Sequence, residues 1–288
     1  MRRARLVSLL ALLAVWAAAP AVTNSFSDSA RDVRGYSGKL LAMLVDDKAL
    51  MDIKRDGVAV RQPAGKVPEN PLHYLLMVPF SAKVKGRVGP YMLGSWPNED
   101  PSTSTGRAAN VAREQPAYAL PRGFIEVTRN GMDTEVSEHF KLGDFLTHDQ
   151  QDVWPKYLVL DLQMVDKLEL VREELNRTHK VDVLHVMSGF RTPAYNAKDV
   201  GPRARSAISR HMYGDAADVF PDDDHNGWTD DLNGDGRADL ADAKIIAAAA
   251  EAVEKKYPSL IGGIGIYPAT SAHGPMVHID TRGKRARW

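Results

Sequence analysis

The stretch Ser209-Arg-His211-Met-Tyr-Gly-Asp-Ala-Ala-Asp218 decides how this chain is interpreted, together with His278-Ile-Asp280 far downstream. The two stretches supply two imidazoles and one carboxylate in an ordered spacing, namely His211, Asp218 and His278. A catalytic zinc ion usually takes three protein ligands from His, Asp or Glu and keeps a fourth coordination position for water. The pattern therefore predicts a zinc centre.

The local sequence indicates how the chain presents these side chains. His211 and Asp218 are seven residues apart with Gly214 between them, which exceeds one helical turn and suits a loop that becomes a strand near 217–220. His278 is expected on a separate strand at 276–279. Asp280 lies two residues beyond His278, so the period of two in a strand places both on one face. We expect Asp280 to orient the ligand imidazole.

The order Ser-x-His-x-x-Gly-x-Ala-x-Asp followed by His-x-Asp resembles the zinc D-alanyl-D-alanine carboxypeptidases and related murein peptidases, which share a fold with the hedgehog signalling domain. The resemblance implies that His211, Asp218 and His278 bind zinc. It also implies an α+β fold in which an antiparallel sheet packs with helices. The implied substrate is the D-amino-acid-containing stem or cross-link peptide of peptidoglycan, cut by a carboxypeptidase or an endopeptidase. The alternative is a cell-wall or partner-binding module with a structural zinc.

Three further residues are candidates for the chemistry. Ser188-Gly-Phe-Arg191 resembles the Ser-Gly-Tyr-Arg motif of the same family, so Arg191 either anchors a substrate carboxylate or braces an internal acid. Ser209 either bonds substrate or holds the loop of the first ligand. A zinc hydrolase also needs a group that moves the proton of the water. His273, five residues before His278, is the candidate, since Pro275 occupies the position where other members carry an acid.

A strongly acidic segment at 222–242 predicts calcium binding. From Asp231 the residues at loop positions 1, 3, 5, 7, 9 and 12, with Gly236 at position 6, follow the spacing of an EF-hand loop: Asp231, Asn233, Asp235, Arg237, Asp239 and Asp242. The loop resembles a dockerin-type variant, because position 12 is Asp. An upstream half-loop repeats the spacing with Asp222, Asp224, Asn226 and Asp230. The expected calcium is structural or makes activity depend on external calcium, and a solvated acidic loop is the alternative.

The N-terminus and the composition limit the functional classes. Residues 1–21 combine early arginines, an apolar run and a small-residue end, which is typical of a secretory signal and predicts an exported, periplasmic or cell-envelope protein. No later segment is long and apolar enough to span a bilayer, so we expect no transmembrane span in the mature chain. The chain has no cysteine, which excludes disulfides and thiolate ligands. With 37 acidic and 37 basic residues, nothing indicates nucleic acid as a partner.

Patterning along the chain predicts two parts after the signal. Residues 22–120 read as a small β-rich module with strands at 40–45 and 73–80, followed by a linker at 98–115. Residues 121–288 read as the zinc peptidase domain, with the calcium-loop insertion at 222–242. Within that domain the pattern predicts strands at 124–127 and 181–187, an amphipathic helix at 158–177 and a helix at 243–256 after the acidic loop.

Overall fold

The computed structural model describes residues 76–100, 106–198 and 205–288. The described part contains ten β-strands: β1 Leu76–Pro79, β2 Arg87–Val88, β3 Tyr91–Met92, β4 Gly123–Val127, β5 Lys156–Leu158, β6 Leu184–Ser188, β7 Ala216–Pro221, β8 Gly263–Tyr267, β9 Met276–Asp280 and β10 Ala286–Arg287. It contains four α-helices: α1 Arg107–Glu114, α2 Leu162–His179, α3 Pro193–Asn196 and α4 Leu240–Lys256. None of these helices has the length and apolar character needed to cross a membrane.

The main sheet has five strands in the order β10-β8-β9-β7-β6. Every neighbouring pair is antiparallel except β10 and β8, which run parallel. The two central strands, β7 and β9, are buried along their whole length. Their sequences are apolar runs interrupted mainly by acids and one imidazole, as expected where both faces of a strand are covered. The mixture of antiparallel strands and helices agrees with the predicted α+β class.

Strand register brings two of the candidate ligands together. Asp218 of β7 pairs directly with His278 of β9, and Ala216 pairs with Asp280. Directly opposed residues in an antiparallel pair point to the same face with Cβ atoms about 5 Å apart. Val277 and Ile279 alternate with His278 and lie in the hydrophobic core on the other face.

Helices α2 and α4 cover the core. On α2 the buried residues recur at helical spacing, with Met164, Leu168, Val171 and Leu175 all fully buried. Its first turn is capped by Asp161, whose side chain accepts a hydrogen bond from the Gln163 amide. Helix α4 contacts α2, β8 and β9. Both helices were predicted, and each differs from its predicted bounds by a few residues, because the capping residue sets the start.

The division between an N-terminal module and a peptidase domain at residue 120 cuts through one structural unit. Strand β1 pairs with β4 across that boundary, and β4 pairs with β5 in a three-stranded antiparallel sheet. Trp96 lies in the same core cluster as the later strands, and its indole N–H donates to the Met212 carbonyl at 2.9 Å. Residues 76–120 therefore share the core of 121–288. The predicted signal at 1–21 and the strand at 40–45 lie outside the described residues.

The predicted linker at 98–115 is corrected in its second half. Helix α1 begins at Arg107 and ends at Glu114, directly after the polar segment that indicated a loop. Its sequence Arg-Ala-Ala-Asn-Val-Ala-Arg-Glu is rich in strong helix formers. Ala109 and Ala112, three residues apart, are buried on its inner side. The turn-forming residues that precede the helix concealed this short amphipathic pattern.

Candidate metal centre

Each candidate ligand is placed by a different element. Asp218 and His278 come from β7 and β9, and His211 lies in the short 3-10 turn Arg210–Tyr213 just before β7. Gly214 ends this turn with φ 74°. A Cβ at Gly214 would lie 2.4 Å from the Val159 carbonyl oxygen, so only glycine permits this approach of the turn to the backbone.

The three ligand atoms form a nearly equilateral triangle. His211 Nε2 lies 3.1 Å from His278 Nδ1 and 3.2 Å from Asp218 Oδ1, and His278 Nδ1 lies 2.9 Å from the same oxygen. Metal bonds of about 2.0 Å in a tetrahedral arrangement place ligand atoms about 3.3 Å apart. The observed separations match one face of such a tetrahedron to within a few tenths of an ångström. His211, Asp218 and His278 are all buried, and together they could hold a metal ion.

Hydrogen bonds behind the imidazoles direct the correct nitrogens inward. His211 Nδ1–H donates to the Gly189 carbonyl at 2.7 Å, and His278 Nε2–H donates to Asp280 Oδ2 at 3.1 Å. His211 Nε2 and His278 Nδ1 are then the nitrogens that face Asp218 and that would bind a metal ion once deprotonated. The contact between Asp280 and the ligand imidazole is the one that the sequence predicted.

Asp280 is itself fixed by donors on every side. Its Oδ1 accepts from the Gly263 amide at 2.7 Å, and both oxygens accept from Arg282 Nε at 2.9 Å. Burial alone would raise the pKa of Asp280, but the hydrogen bonds and charges of His278 and Arg282 hold it far below its usual range. Asp280 is therefore ionised and serves as an acceptor for His278.

Arg191 braces the carboxylate ligand. Its Nη2 donates to Asp218 Oδ2, and its Nε donates to Ser188 Oγ at 2.9 Å. Of the two roles that the sequence left open for Arg191, the structure displays the contact with an internal acid. The other oxygen, Asp218 Oδ1, is the one that faces the imidazoles of His211 and His278.

The electrostatic environment suits metal binding. Burial lowers the pKa of His211 to about 4, against the opposing effect of Asp218, so its imidazole is neutral at physiological pH. Burial alone would raise the pKa of Asp218, but the neighbouring His211, His278 and Arg191 hold it well below its usual value, so this carboxylate is ionised. Burial would lower the pKa of His278, but the hydrogen bonds and charges of Asp218 and Asp280 raise it above its ordinary value. Metal ligands must be deprotonated, so a metal ion would compete with a proton at His278 and not at His211.

The ligands line an open cavity of about 550 Å³. Ser209 also lines it, as a role in bonding substrate would require, and so does Arg191. Tyr267 and Trp288 contribute aromatic surface, and the Trp288 ring centre lies 5.3 Å from that of His278. Among the described residues that line this cavity, the only imidazoles and carboxylates are the three ligands.

His273, the predicted proton-transfer residue, lies outside the wall of the cavity. It is absent from the residues that line the cavity. It lies in the loop before β9, where its Nδ1–H donates to the neighbouring Gly274 carbonyl at 2.7 Å and its carbonyl accepts from the Thr270 amide. A general base must reach the proton that it removes. The role of His273 as the general base therefore stays a prediction.

Sequence reasoning missed most of the cavity wall, including Tyr118, Tyr267, Arg282 and Trp288. Arg282 could have been found, since it follows Asp280 by two residues. Trp288 gave no local signal. Its indole lies over Gly265, where an added Cβ would come within 2.4 Å of the ring. The missing side chain of Gly265 makes room for this aromatic wall.

In the acidic loops at 222–242, carboxylates accept hydrogen bonds from backbone amides of the same segment. The Asp231 carboxylate accepts from the amides of Gly234 and Gly236 at 2.8 and 2.6 Å. Asp242, which is fully buried, accepts from the amides of Leu232 and Asp239. Within the described part of the chain, the one group that gathers three ligand side chains is the His-Asp-His cluster. The acidic side chains of the two predicted calcium loops form no such group, and calcium binding there stays a prediction.

The comparisons of this chain with family models, with curated proteins and with solved structures find no match.

Proposed function

We propose that this protein is an exported zinc metallopeptidase that hydrolyses D-amino-acid-containing peptide bonds of peptidoglycan. The observation that carries the proposal is the convergence of His211 Nε2, Asp218 Oδ1 and His278 Nδ1 within 3.2 Å of one another on the wall of an open cavity. The zinc assignment rests on the two-imidazole, one-carboxylate set. The substrate rests on the resemblance of the ligand motif to the murein peptidases.

The open cavity favours catalysis over a structural zinc. Structural zinc sites are closed by four protein ligands, whereas catalytic sites use three and leave one position for water or substrate. The described residues supply three ligands, and the ligands border about 550 Å³ of open space. Zinc, when bound there, would polarise a carbonyl and lower the pKa of water to about 7.

The chain's own residues would hold the ligands and the peptide. Asp280 and the Gly189 carbonyl fix the two imidazoles, and Arg191 fixes the carboxylate of Asp218. Ser209 lies on the cavity wall, where its hydroxyl can bond a peptide group. We also propose that Arg191 anchors a substrate carboxylate, because this residue borders the cavity.

Digestion of intact peptidoglycan tests the proposal. The zinc-loaded protein and its His211→Ala variant are incubated with the polymer, and released D-alanine and muropeptides are followed by mass spectrometry. Zinc-dependent release of D-alanine would establish a carboxypeptidase, and loss of cross-linked dimers would establish an endopeptidase. Equal results for both proteins, with zinc shown to be bound to the parent, would favour the wall- or partner-binding alternative.

Calcium binding at 231–242 is proposed from the order of its side chains alone. The spacing of Asp231, Asn233, Asp235 and Asp242 is that of a calcium loop. Added Ca²⁺ should raise the thermal midpoint of the parent protein and leave that of Asp235→Ala unchanged. Equal midpoints with Ca²⁺ and with a chelator would leave the segment as a solvated acidic loop.

A further inference from the structure

A second cavity of about 520 Å³ adjoins the metal-site cavity. One of its sides is helix α1, which contributes Ala108 and Val111. Ile208, in the segment that leads to the first ligand, adds a further apolar side chain, and Lys284 adds a cation. The cavity therefore offers a mostly apolar surface of small residues with positive charge at its border.

The two cavities are parts of one groove. They share four lining residues, namely Tyr118, Ser206, Ile208 and Arg282. Tyr118 is buried and packs its ring against Tyr213, with centroids 5.3 Å apart, and under the Arg210 guanidinium at 4.6 Å. Arg282 is held by the carboxylate of Asp280. The shared wall is thus fixed by packing and ion pairing, so the groove is formed before any ligand enters.

The charge of the groove is predominantly positive. The described residues that line the two cavities include five cations: Arg191, Arg205, Arg210, Arg282 and Lys284. The carboxylate among these lining residues is Asp218. Two further acids, Asp215 and Asp280, pair with the lining arginines from below the surface. Three of the five cations are thus paired with acids, so five cations and three acids leave a net charge of +2 on the groove. An excess of positive charge attracts ligands of the opposite sign.

We propose that the second cavity is a distal subsite of the same groove, which binds the acidic and small apolar part of a peptide chain several residues from the bond at the metal. This inference rests on the proposed function for the identity of the reacting bond. It implies that the preferred substrate is a long or cross-linked acidic peptide that fills both cavities. A short peptide would occupy the metal-site cavity alone.

Substitutions on α1 test the subsite. Ala108→Trp places an indole in the second cavity, whereas Asn110→Trp places the same indole at an exposed position on the same helix. The zinc-loaded full chain is assayed with a cross-linked muropeptide dimer and with the corresponding monomer. Ala108→Trp should raise the KM for the dimer at least tenfold and change that for the monomer less than twofold. Asn110→Trp should change neither.

A charge substitution provides a second test, which does not depend on whether the fold tolerates an indole at position 108. Lys284→Glu reverses an exposed charge at the border of the cavity, and Lys284 lies outside the metal site. It should raise the KM for the dimer about fivefold, while Lys244→Glu on the exposed side of α4 should have no effect. The proposal would be overturned if Lys284→Glu and Ala108→Trp each changed the KM for the dimer and the KM for the monomer by the same factor. It would also be overturned if they changed neither KM.

Binding measurements separate this inference from the proposed reaction. If the zinc-loaded parent cleaves neither compound, the affinities of dimer and monomer are measured by calorimetry. Tighter binding of the dimer that is lost in Ala108→Trp would uphold the subsite although the hydrolase proposal fails. Equal affinities that Ala108→Trp leaves unchanged would overturn the subsite as well.

Discussion

Asp280→Asn should weaken metal binding although it removes none of the ligands. The carboxylate accepts from the Gly263 amide at 2.7 Å, from Arg282 Nε at 2.9 Å and from His278 Nε2 at 3.1 Å. All of these partners are donors. The Asn amide group has one accepting and one donating end, so one end must face donors whichever way it turns.

Both orientations of the new amide disturb the site. If its NH₂ faces His278, the ring must accept at Nε2 and carry its proton on Nδ1, the atom that lies 2.9 Å from Asp218 Oδ1 and points toward the metal position. If its oxygen faces His278, the NH₂ lies against the Gly263 amide and Arg282 in a fully buried place. Loss of such a supporting contact typically costs 10- to 100-fold in metal affinity, or about 1.4 to 2.8 kcal/mol.

Competition with a chromogenic zinc chelator measures this loss. Asp133→Asn is a matched control, because its side chain is 67% exposed and pairs only with Lys141 at the surface. Thermal midpoints in excess chelator show whether the metal-free protein stays folded. A zinc Kd for Asp280→Asn within threefold of the parent value, with the control equally unchanged, would refute the role assigned to Asp280.

Three further substitutions probe the surroundings of the centre. Lys167→Met removes a fully buried ammonium that donates to Glu254 at 2.7 Å, and it should lower the free energy of unfolding by about 1 to 3 kcal/mol in urea denaturation, since Glu254 loses one of its two cationic partners and keeps Arg287. Gly265→Ala should displace the Trp288 indole, cost about 1 to 3 kcal/mol and shift the tryptophan emission, because the new Cβ would lie 2.4 Å from the ring. Arg191→Gln should raise the zinc Kd about tenfold in the chelator assay, because it removes the charge that braces the carboxylate ligand.

The metal ligands could be predicted because their signal is local and chemical. His211, Gly214 and Asp218 lie within eight residues of sequence, and a His-x-Asp pair on an apolar strand indicates both a ligand and its supporting acid. The register that pairs Asp218 with His278 could not be predicted, because nothing in the local sequence specifies that β7 and β9 are neighbours. Strand pairing between distant segments is decided by the packing of the whole sheet.

The remaining differences between the expectations and the structure have the same cause, namely contacts between segments that are distant in the sequence. His273 was chosen by its distance from His278 along the chain, and it is not among the residues that line the cavity. Residues 76–120 looked separate because their composition changes at the polar segment near 101–106. In the folded chain, β1 completes a sheet with β4, and Trp96 is buried against the turn of the first ligand. Tertiary contacts of this kind leave no pattern in a short window of sequence.

Because Arg282 has two roles, the distal subsite must be tested at residues that lie away from the metal site. The guanidinium holds Asp280, and through it His278, and it also lines both cavities. A substitution there would change metal affinity and groove shape together, so a loss of activity would have two causes. Ala108 and Lys284 border only the second cavity. An effect of these two residues that grows with substrate length, at unchanged zinc affinity, can arise only from the groove.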